Sequence, residues 1–210
     1  MDLLKKYISE KLEQDLPGKL AQLEAIPYRK KDYGSFNLDN AKKSAVLILF
    51  FLKEKEPHIV LIQRPVYNGA HSGQIAFPGG KVEESDKDII HTALRESNEE
   101  VGVLIEDVDV VGRLTDMYIP VSNFLVTPVV GFVNYMPIFI PDEREVAEII
   151  DLKLTDLTRV SELESAKVNF AKNKVANVPC FNFNGKIVWG ATAVMLNELR
   201  WILKNHSKSL

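Results

Sequence analysis

GGKVEESDKDIIHTALRESNEEVGV, residues 79–103, is the stretch around which the rest of the chain is organised. A glycine pair follows Phe77-Pro78, an acidic turn follows the pair, and a helix then runs to a stop at Gly102. Ser85 and Asp88 are spaced to cap the helix start in the S-x-x-D manner, and Gly102 suits the left-handed residue that ends a helix. At roughly 100° per residue, Ile90, Ala93, Leu94, Ser97 and Val101 share one face, which should pack on a sheet. Glu96, Glu99 and Glu100 lie on the other side, and Glu96 and Glu100 are one turn apart and can aim at one spot. Carboxylates so close repel one another, and a hard divalent cation bound through oxygen is the natural counter-charge. The Gly79-Gly80 turn can bring a bare backbone carbonyl to the same ion.

Most charge runs on helices are solvated faces, and Glu99-Glu100-Val101-Gly102 alone would carry only that reading. The whole constellation is more specific: two glycines, a spaced acid, then Arg95-Glu96-Ser97-Asn98-Glu99-Glu100-Val101-Gly102-Val103. It resembles the signature of the Nudix hydrolases, with Gly80 as its first glycine and Asp86 as its spaced acid. Three positions depart from that signature. Aspartate replaces glutamate at 86, eight residues (87–94) rather than seven separate it from Arg95, and Ser97 stands at a bulky aliphatic position. The first two are shared by one subfamily, and the third weakens packing under the helix but removes no ligand. The resemblance implies an α/β/α sandwich with a mixed β-sheet, here with an added N-terminal helix, and a cofactor ion that is Mg²⁺ or Mn²⁺. It makes Glu96, Glu99 and Glu100 metal ligands, with the Gly80 carbonyl as a further ligand. It also makes Arg95 the partner of Asp86, holding loop against helix; a surface pair of that kind is worth only ~0.2–1 kcal/mol, so its value would be positional.

The chain has 210 residues, a single cysteine and a formal net charge of −3, which suits one α/β domain with its own core. Lone Cys180 has no internal disulfide partner, so a reducing, cytoplasmic setting is the expectation. No apolar run reaches spanning length and the first residues lack a signal-peptide core, which argues against a membrane partner. The balance of charge argues against nucleic acid.

Leu4, Ile8, Leu12 and Leu16 recur every four residues, an amphipathic helix that Pro17-Gly18 ends, and Lys19–Ala25 reads as a short second helix. Residues 1–30 are thus expected as a helical extension and 31–210 as the Nudix-like domain. The apolar stripe of the first helix fits packing on the domain; a homodimer contact is the other reading. Residues 44–52 read as a buried strand and 58–64 as its hairpin partner, with 65–72 a loop and 74–77 a short strand into the glycines. Further strands are expected at 108–114, 125–133, 137–140 and 145–152, and a loop with helical turns at 154–164. Asn184-Gly185 marks a hairpin between 179–182 and 186–189, and a last helix spans 192–204 with Thr192 as N-cap.

The flanks narrow the resemblance. Leu61-Ile62-Gln63-Arg64 and His71-Ser72-Gly73-Gln74-Ile75-Ala76-Phe77-Pro78-Gly79-Gly80 are similar to the segment before the signature in the coenzyme A diphosphatase subfamily. So are Val126-Thr127-Pro128-Val129-Val130-Gly131 and Val188-Trp189-Gly190-Ala191-Thr192-Ala193. Ile62, Pro65 and Gly69 depart from that pattern, Gly69 standing where it has a second arginine; neighbouring Tyr67 and Asn68 offer no cation in its place, and Lys81 and Arg64 are the candidates to serve instead. The resemblance implies a small-molecule diphosphate substrate, coenzyme A first, with Arg64, His71, Gly73 and Phe77 on the substrate side. Phe77 and Trp189 fit base stacking or core packing; His71 fits a phosphate contact or a backbone hydrogen bond. The loop around Asp142-Glu143-Arg144-Glu145-Val146 makes Glu145 a candidate catalytic base or further ligand, against a solvated acid. Three readings follow: hydrolysis of coenzyme A, hydrolysis of another nucleoside diphosphate compound (ADP-ribose, a dinucleotide or a nucleotide sugar), or a ligand-binding domain without catalysis. Retention of Glu96, Glu99 and Glu100 speaks against the third.

Overall fold

The computed structural model describes residues 1–67, 69, 71–170 and 174–204. Two helices open the chain, α1 (Asp2–Leu12) and α2 (Lys19–Ala25). They lead to the central strand β1 (Lys42–Lys53) and its antiparallel partner β2 (Glu56–Gln63), turned through Glu54 and Lys55, both at positive φ. Apolar residues of β1 and β2 alternate between two clusters. Ala45, Leu47, Leu49, Phe51, Val60 and Ile62 join one; Ile48, Phe50, Ile59 and Leu61 join the other. A period of two with both faces buried is what a sheet sandwiched between helices requires.

Beyond the first hairpin, β1 and β2 splay apart. The gap is filled by β3 (Ile75–Ala76) on β2 and β4 (Gly79–Lys81) on the start of β1. Next come α3 (Ile89–Val101), β5 (Asp109–Arg113), β6 (Met117–Ile119) and β7 (Phe124–Phe132). β7 runs parallel to β1, and β5 and β6 lie antiparallel on its outer edge, so the sheet is mixed. β8 (Glu148–Lys153) pairs antiparallel with β2 and leads through α4 (Leu154–Arg159) to a three-stranded sheet of β9 (Glu164–Phe170), β10 (Lys174–Phe183) and β11 (Lys186–Trp189). α5 (Gly190–Leu203) closes the chain as described. α3 covers one face of the eight-stranded sheet, while α1 and α5 cover the other. This is the α/β/α sandwich expected from the sequence.

α1 and α2 are built into this core. Ile8 and Ala21 are fully buried, and Leu4 and Ile8 share a cluster with α5 and the sheet. The loop between the helices is tied down by Glu198 of α5, which is wholly buried; it accepts from the Gly18 N–H (3.2 Å), the Thr115 hydroxyl (2.6 Å) and the Gln22 amide (3.4 Å).

Four local readings are corrected. Residues 137–140 form no strand; Ile138 is 86% exposed, and the segment instead runs past the end of α3, where the Ile140 N–H donates to the Val101 carbonyl (3.0 Å). Ser85 does not cap α3; Asp88 is the N-cap, its carboxylate accepting from the His91 N–H (2.8 Å). α5 starts at Gly190, so Thr192 lies inside it and its hydroxyl donates to the Ile75 carbonyl (2.9 Å), a tertiary bond in place of a cap. Phe77 is 2% exposed in the core, so its ring is not offered to a substrate.

Candidate active site

The loop before α3 is organised by Asp86, whose side chain has no exposure. Its carboxylate accepts from Arg95 Nε (2.8 Å) and Nη2 (3.0 Å), the Thr92 hydroxyl (2.9 Å) and the Glu83 N–H (2.9 Å), and it meets His91 Nδ1 (2.9 Å). The Arg95 bonds, supported by the others, hold this carboxyl far below the usual carboxylate range. Arg95 in turn donates to the Lys81 carbonyl (3.1 Å) and pairs with Glu96 (3.1 Å) and Glu99 (3.0 Å). The expected Arg95–Asp86 pair therefore exists, but as a buried fork rather than a surface contact. His91 and Thr92 escaped the sequence reading; their only signal was a position one to two turns past an acid that needs partners.

Two glycines make the other wall. Gly79 sits at φ 151°, and a Cβ there would overlap the backbone of Ala45 and Val46, so only glycine lets β4 lie this close to β1. A Cβ on Gly80 would overlap the Glu96 carboxylate, so Glu96 is laid directly over the backbone of Gly80. The Gly79 N–H donates to Glu100 Oε2 (2.7 Å).

Glu100 is 2% exposed. Its Oε1 is buried and accepts no hydrogen bond within the protein, and Arg64 Nη1 stands 4.0 Å away. Burial pushes the carboxyl up to about 8; the Gly79 N–H and Arg64 oppose that, while the charges of Glu145 and Glu96 add to it. Burial likewise raises Glu96, against the pull of Arg95. Arg64 Nε is also buried without a partner. Buried polar atoms without hydrogen-bond partners are costly, and a carboxylate oxygen and a guanidinium N–H left so on neighbouring side chains mark a place for a polar ligand.

The structure brings Glu96, Glu100, Arg64 and the Gly79-Gly80 backbone together. Glu99 stays on the rim with its side chain 56% exposed. Glu145 is exposed on a loop tied to the site, since the Asp142 N–H donates to the Glu100 carbonyl (3.0 Å) and the Ala147 N–H to the Gln63 carbonyl (2.8 Å). His71, at φ 66°, meets Gln74 Oε1 through Nδ1 (3.1 Å), and the Gly73 N–H donates to the Pro65 carbonyl (3.1 Å); both shape the loop after Arg64. A Cβ at Gly69 would come within 2.6 Å of the Tyr67 ring, so this backbone has no room for a side chain at 69 unless the ring moves. Asn68 lies outside the described residues.

The donors fit a hard divalent ion. All are oxygens, one is a buried orphan, and a bare glycine backbone lies against them. Among the described residues, no three acidic or other ligating side chains already converge as a finished metal cage. Arg95 pairs with the carboxylates of both Glu96 and Glu99 and so ties them to the Asp86 fork.

The family model described as NUDIX domain matches residues 41–176. A protein of Pectobacterium atrosepticum named "Uncharacterized Nudix hydrolase NudL" is 35% identical over 161 residues, covering 75% of this chain and 81% of that relative. A protein of the same name from Yersinia enterocolitica is 34% identical over 171 residues, covering 79% and 83%. A solved NUDIX hydrolase from Nitrosomonas europaea superposes with a TM-score of 0.51 at 14% identity, over 80% of this chain and 74% of that one. Among the described residues no helix is long and apolar enough to cross a membrane.

Proposed function

Because this chain belongs to the Nudix family of hydrolases, which act on phosphorus anhydrides, we propose that it cleaves the diphosphate of coenzyme A or an acyl derivative, releasing adenosine 3′,5′-bisphosphate and a 4′-phosphopantetheine species. The observation that carries the hydrolase chemistry is Glu100, a buried carboxylate with one oxygen on a backbone N–H and the other without a hydrogen bond, 4.0 Å from Arg64. The choice of coenzyme A rests on residues 61–80 and on the matching segments at 126–131 and 188–193.

In this reading Glu96, Glu99, Glu100 and the Gly80 carbonyl hold the ion. Bound Mg²⁺ or Mn²⁺ would neutralise charge on the diphosphate and lower the pKa of a coordinated water. Arg64 donates its unpartnered Nε–H to a phosphate oxygen, a charge-assisted bond that fixes the diphosphate beside Glu100. Glu145, exposed on the loop that Asp142 ties to the Glu100 carbonyl, takes the proton of the attacking water. Arg95 positions Glu96 from the Asp86 fork. Gly69, in place of the second arginine, favours a second reading: the same chemistry on ADP-ribose, a dinucleotide or a nucleotide sugar.

The deciding experiment is an assay with Mg²⁺ or Mn²⁺ on coenzyme A, ADP-ribose and NADH, following adenosine 3′,5′-bisphosphate. A clearly higher kcat/KM on coenzyme A supports the first reading. Turnover of the others without coenzyme A supports the second. Tight binding without turnover under either metal would return the chain to a ligand-binding role.

A further inference from the structure

On the face of the sheet opposite α3 lies a cleft of about 570 Å³, walled by the end of β2, by β3 and by the β9–β11 sheet. Side chains alternate along a strand. Gln63 therefore points with Ile59 and Leu61 toward the α5 side and lines the cleft, while Arg64, one residue on, points with Ile62 toward the α3 side and reaches Glu100. The Arg64 N–H donates to the Gln74 carbonyl (2.9 Å), and Gln74 also lines the cleft. The cleft and the carboxylate site thus lie back to back and meet around the end of β2.

The lining has a definite chemistry. Gln63, Gln74 and Asn184 offer amides, and Trp189 is its aromatic residue. Two lysines reach it. Lys186 is held by Glu148 and by Gln63 Oε1 (3.4 Å), so its charge is already matched. Lys167 is exposed and forms no ion pair with any described residue, so the cleft carries one uncompensated cation.

We infer that this cleft receives the nucleoside end of the substrate, with Trp189 as the stacking face for the base, the amides along its edge, and Lys167 as the contact for a further phosphate on the sugar. An aromatic face accepts any flat base, whereas a free ammonium among amides distinguishes a phosphorylated sugar from a bare one. This deepens the proposed reading and rests on it, because the diphosphate must sit at Glu100 and Arg64 for its nucleoside to turn around the end of β2.

The test is calorimetric binding of adenosine 3′,5′-bisphosphate and of AMP to the whole chain: wild type, Lys167→Ala, Trp189→Leu and Trp189→Phe. In the wild type the bisphosphate is expected to bind about tenfold more tightly than AMP, the worth of one charge-assisted contact. Lys167→Ala removes that difference and leaves AMP unchanged. Trp189→Leu weakens both ligands about tenfold, and Trp189→Phe restores most of the loss. An unchanged bisphosphate preference in Lys167→Ala, or wild-type binding of both ligands by Trp189→Leu, overturns the assignment. Should Trp189→Leu fail to fold, Trp189→Phe and the exposed Lys167 position still decide. These affinities need no turnover. A chain that splits ADP-ribose but not coenzyme A would therefore defeat the substrate reading while the binding data judge the cleft; coenzyme A turnover with the Lys167→Ala preference intact would overturn the cleft alone.

Discussion

Asp86 and Glu100 are both buried carboxylates on one loop–helix unit, and they are held in opposite ways. Asp86, before the helix, is surrounded by donors: two from Arg95, one each from Thr92 and the Glu83 backbone, with His91 beside them. Glu100, at the helix end, has a single backbone donor and an orphan oxygen. The first carboxyl is driven down by its partners, the second up to about 8 by burial. A saturated buried acid is scaffold, because nothing more can be added to it. An unsaturated one keeps a place open, and its cost persists only if a ligand offsets it. The contrast separates the structural half of the motif from the chemical half without reference to any bound molecule.

The sharpest way to break the comparison is Glu100→Gln. The amide keeps the shape and an acceptor for the Gly79 N–H but removes the charge that would hold an ion. Turnover is expected to fall by about 10³-fold, the loss of several kcal/mol of charge stabilisation. The melting temperature should hold or rise, because the cost of burying a carboxylate that has one backbone donor and only a 4.0 Å ion pair has gone. Steady-state kinetics beside a thermal melt check both halves. Unchanged turnover would show that Glu100 is not a ligand, and a collapsed fold would make it scaffold like Asp86.

Asp86→Ala should invert that pattern. Removing Asp86 takes away the buried, bidentate partner of Arg95 and leaves the Thr92 hydroxyl and the Glu83 N–H without their acceptor, a cost of about 3–5 kcal/mol of stability. It also frees Arg95 to pull Glu96 and Glu99 out of place. Denaturant unfolding measures this. A loss below 1 kcal/mol would mean that the fork behaves as the surface pair which spacing alone suggests.

The same contrast marks how far residue order could be read. The strands at β1, β2 and β7, the α3 frame and the Asn184-Gly185 hairpin were legible because period, glycine position and turn chemistry are local. The three glutamates and the Asp86–Arg95 pair were legible as a spaced motif. What was not legible depends on tertiary contact. Thr192 looks like a cap until the Ile75 carbonyl is beside it. Residues 137–140 look like a strand until they find helix-end carbonyls rather than a sheet edge. Phe77 looks like a stacking ring until the core closes over it. Glu100 reads on a helical wheel as one more outward acid; in the fold it is buried, with the Gly79 N–H on one oxygen and Arg64 beside the other.

Acid titration sharpens the Asp86 half alone. Its carboxyl titrates lower in the folded chain than in the unfolded one, so the folded state binds fewer protons. The stabilisation is therefore fully present above the unfolded value near 3.9 and is lost as pH falls below it, by at most about 1.4 kcal/mol per pH unit. Unfolding free energies measured between pH 5 and pH 2.5 should show a steeper acid slope for the wild type than for Asp86→Asn. Equal slopes would mean that Asp86 gains nothing from its fork.

A third buried carboxylate tests whether saturation, rather than position near the site, is what marks scaffold. Glu198 is wholly buried and far along the chain from α3. Its Oε1 accepts from the Gly18 N–H, the Thr115 N–H and the Thr115 hydroxyl, and its Oε2 from Gln22. In Glu198→Gln the amide oxygen can take the three-donor side, and only the Oε2 side then faces Gln22 donor to donor. The expected cost is one neutral hydrogen bond, about 1 kcal/mol, with kcat and KM unchanged. The charge itself contributes little there, because burying it cost nearly what its donors return. A loss of activity in Glu198→Gln, with stability intact, would instead tie the N-terminal helices to the site and break the rule that a saturated carboxylate is only scaffold.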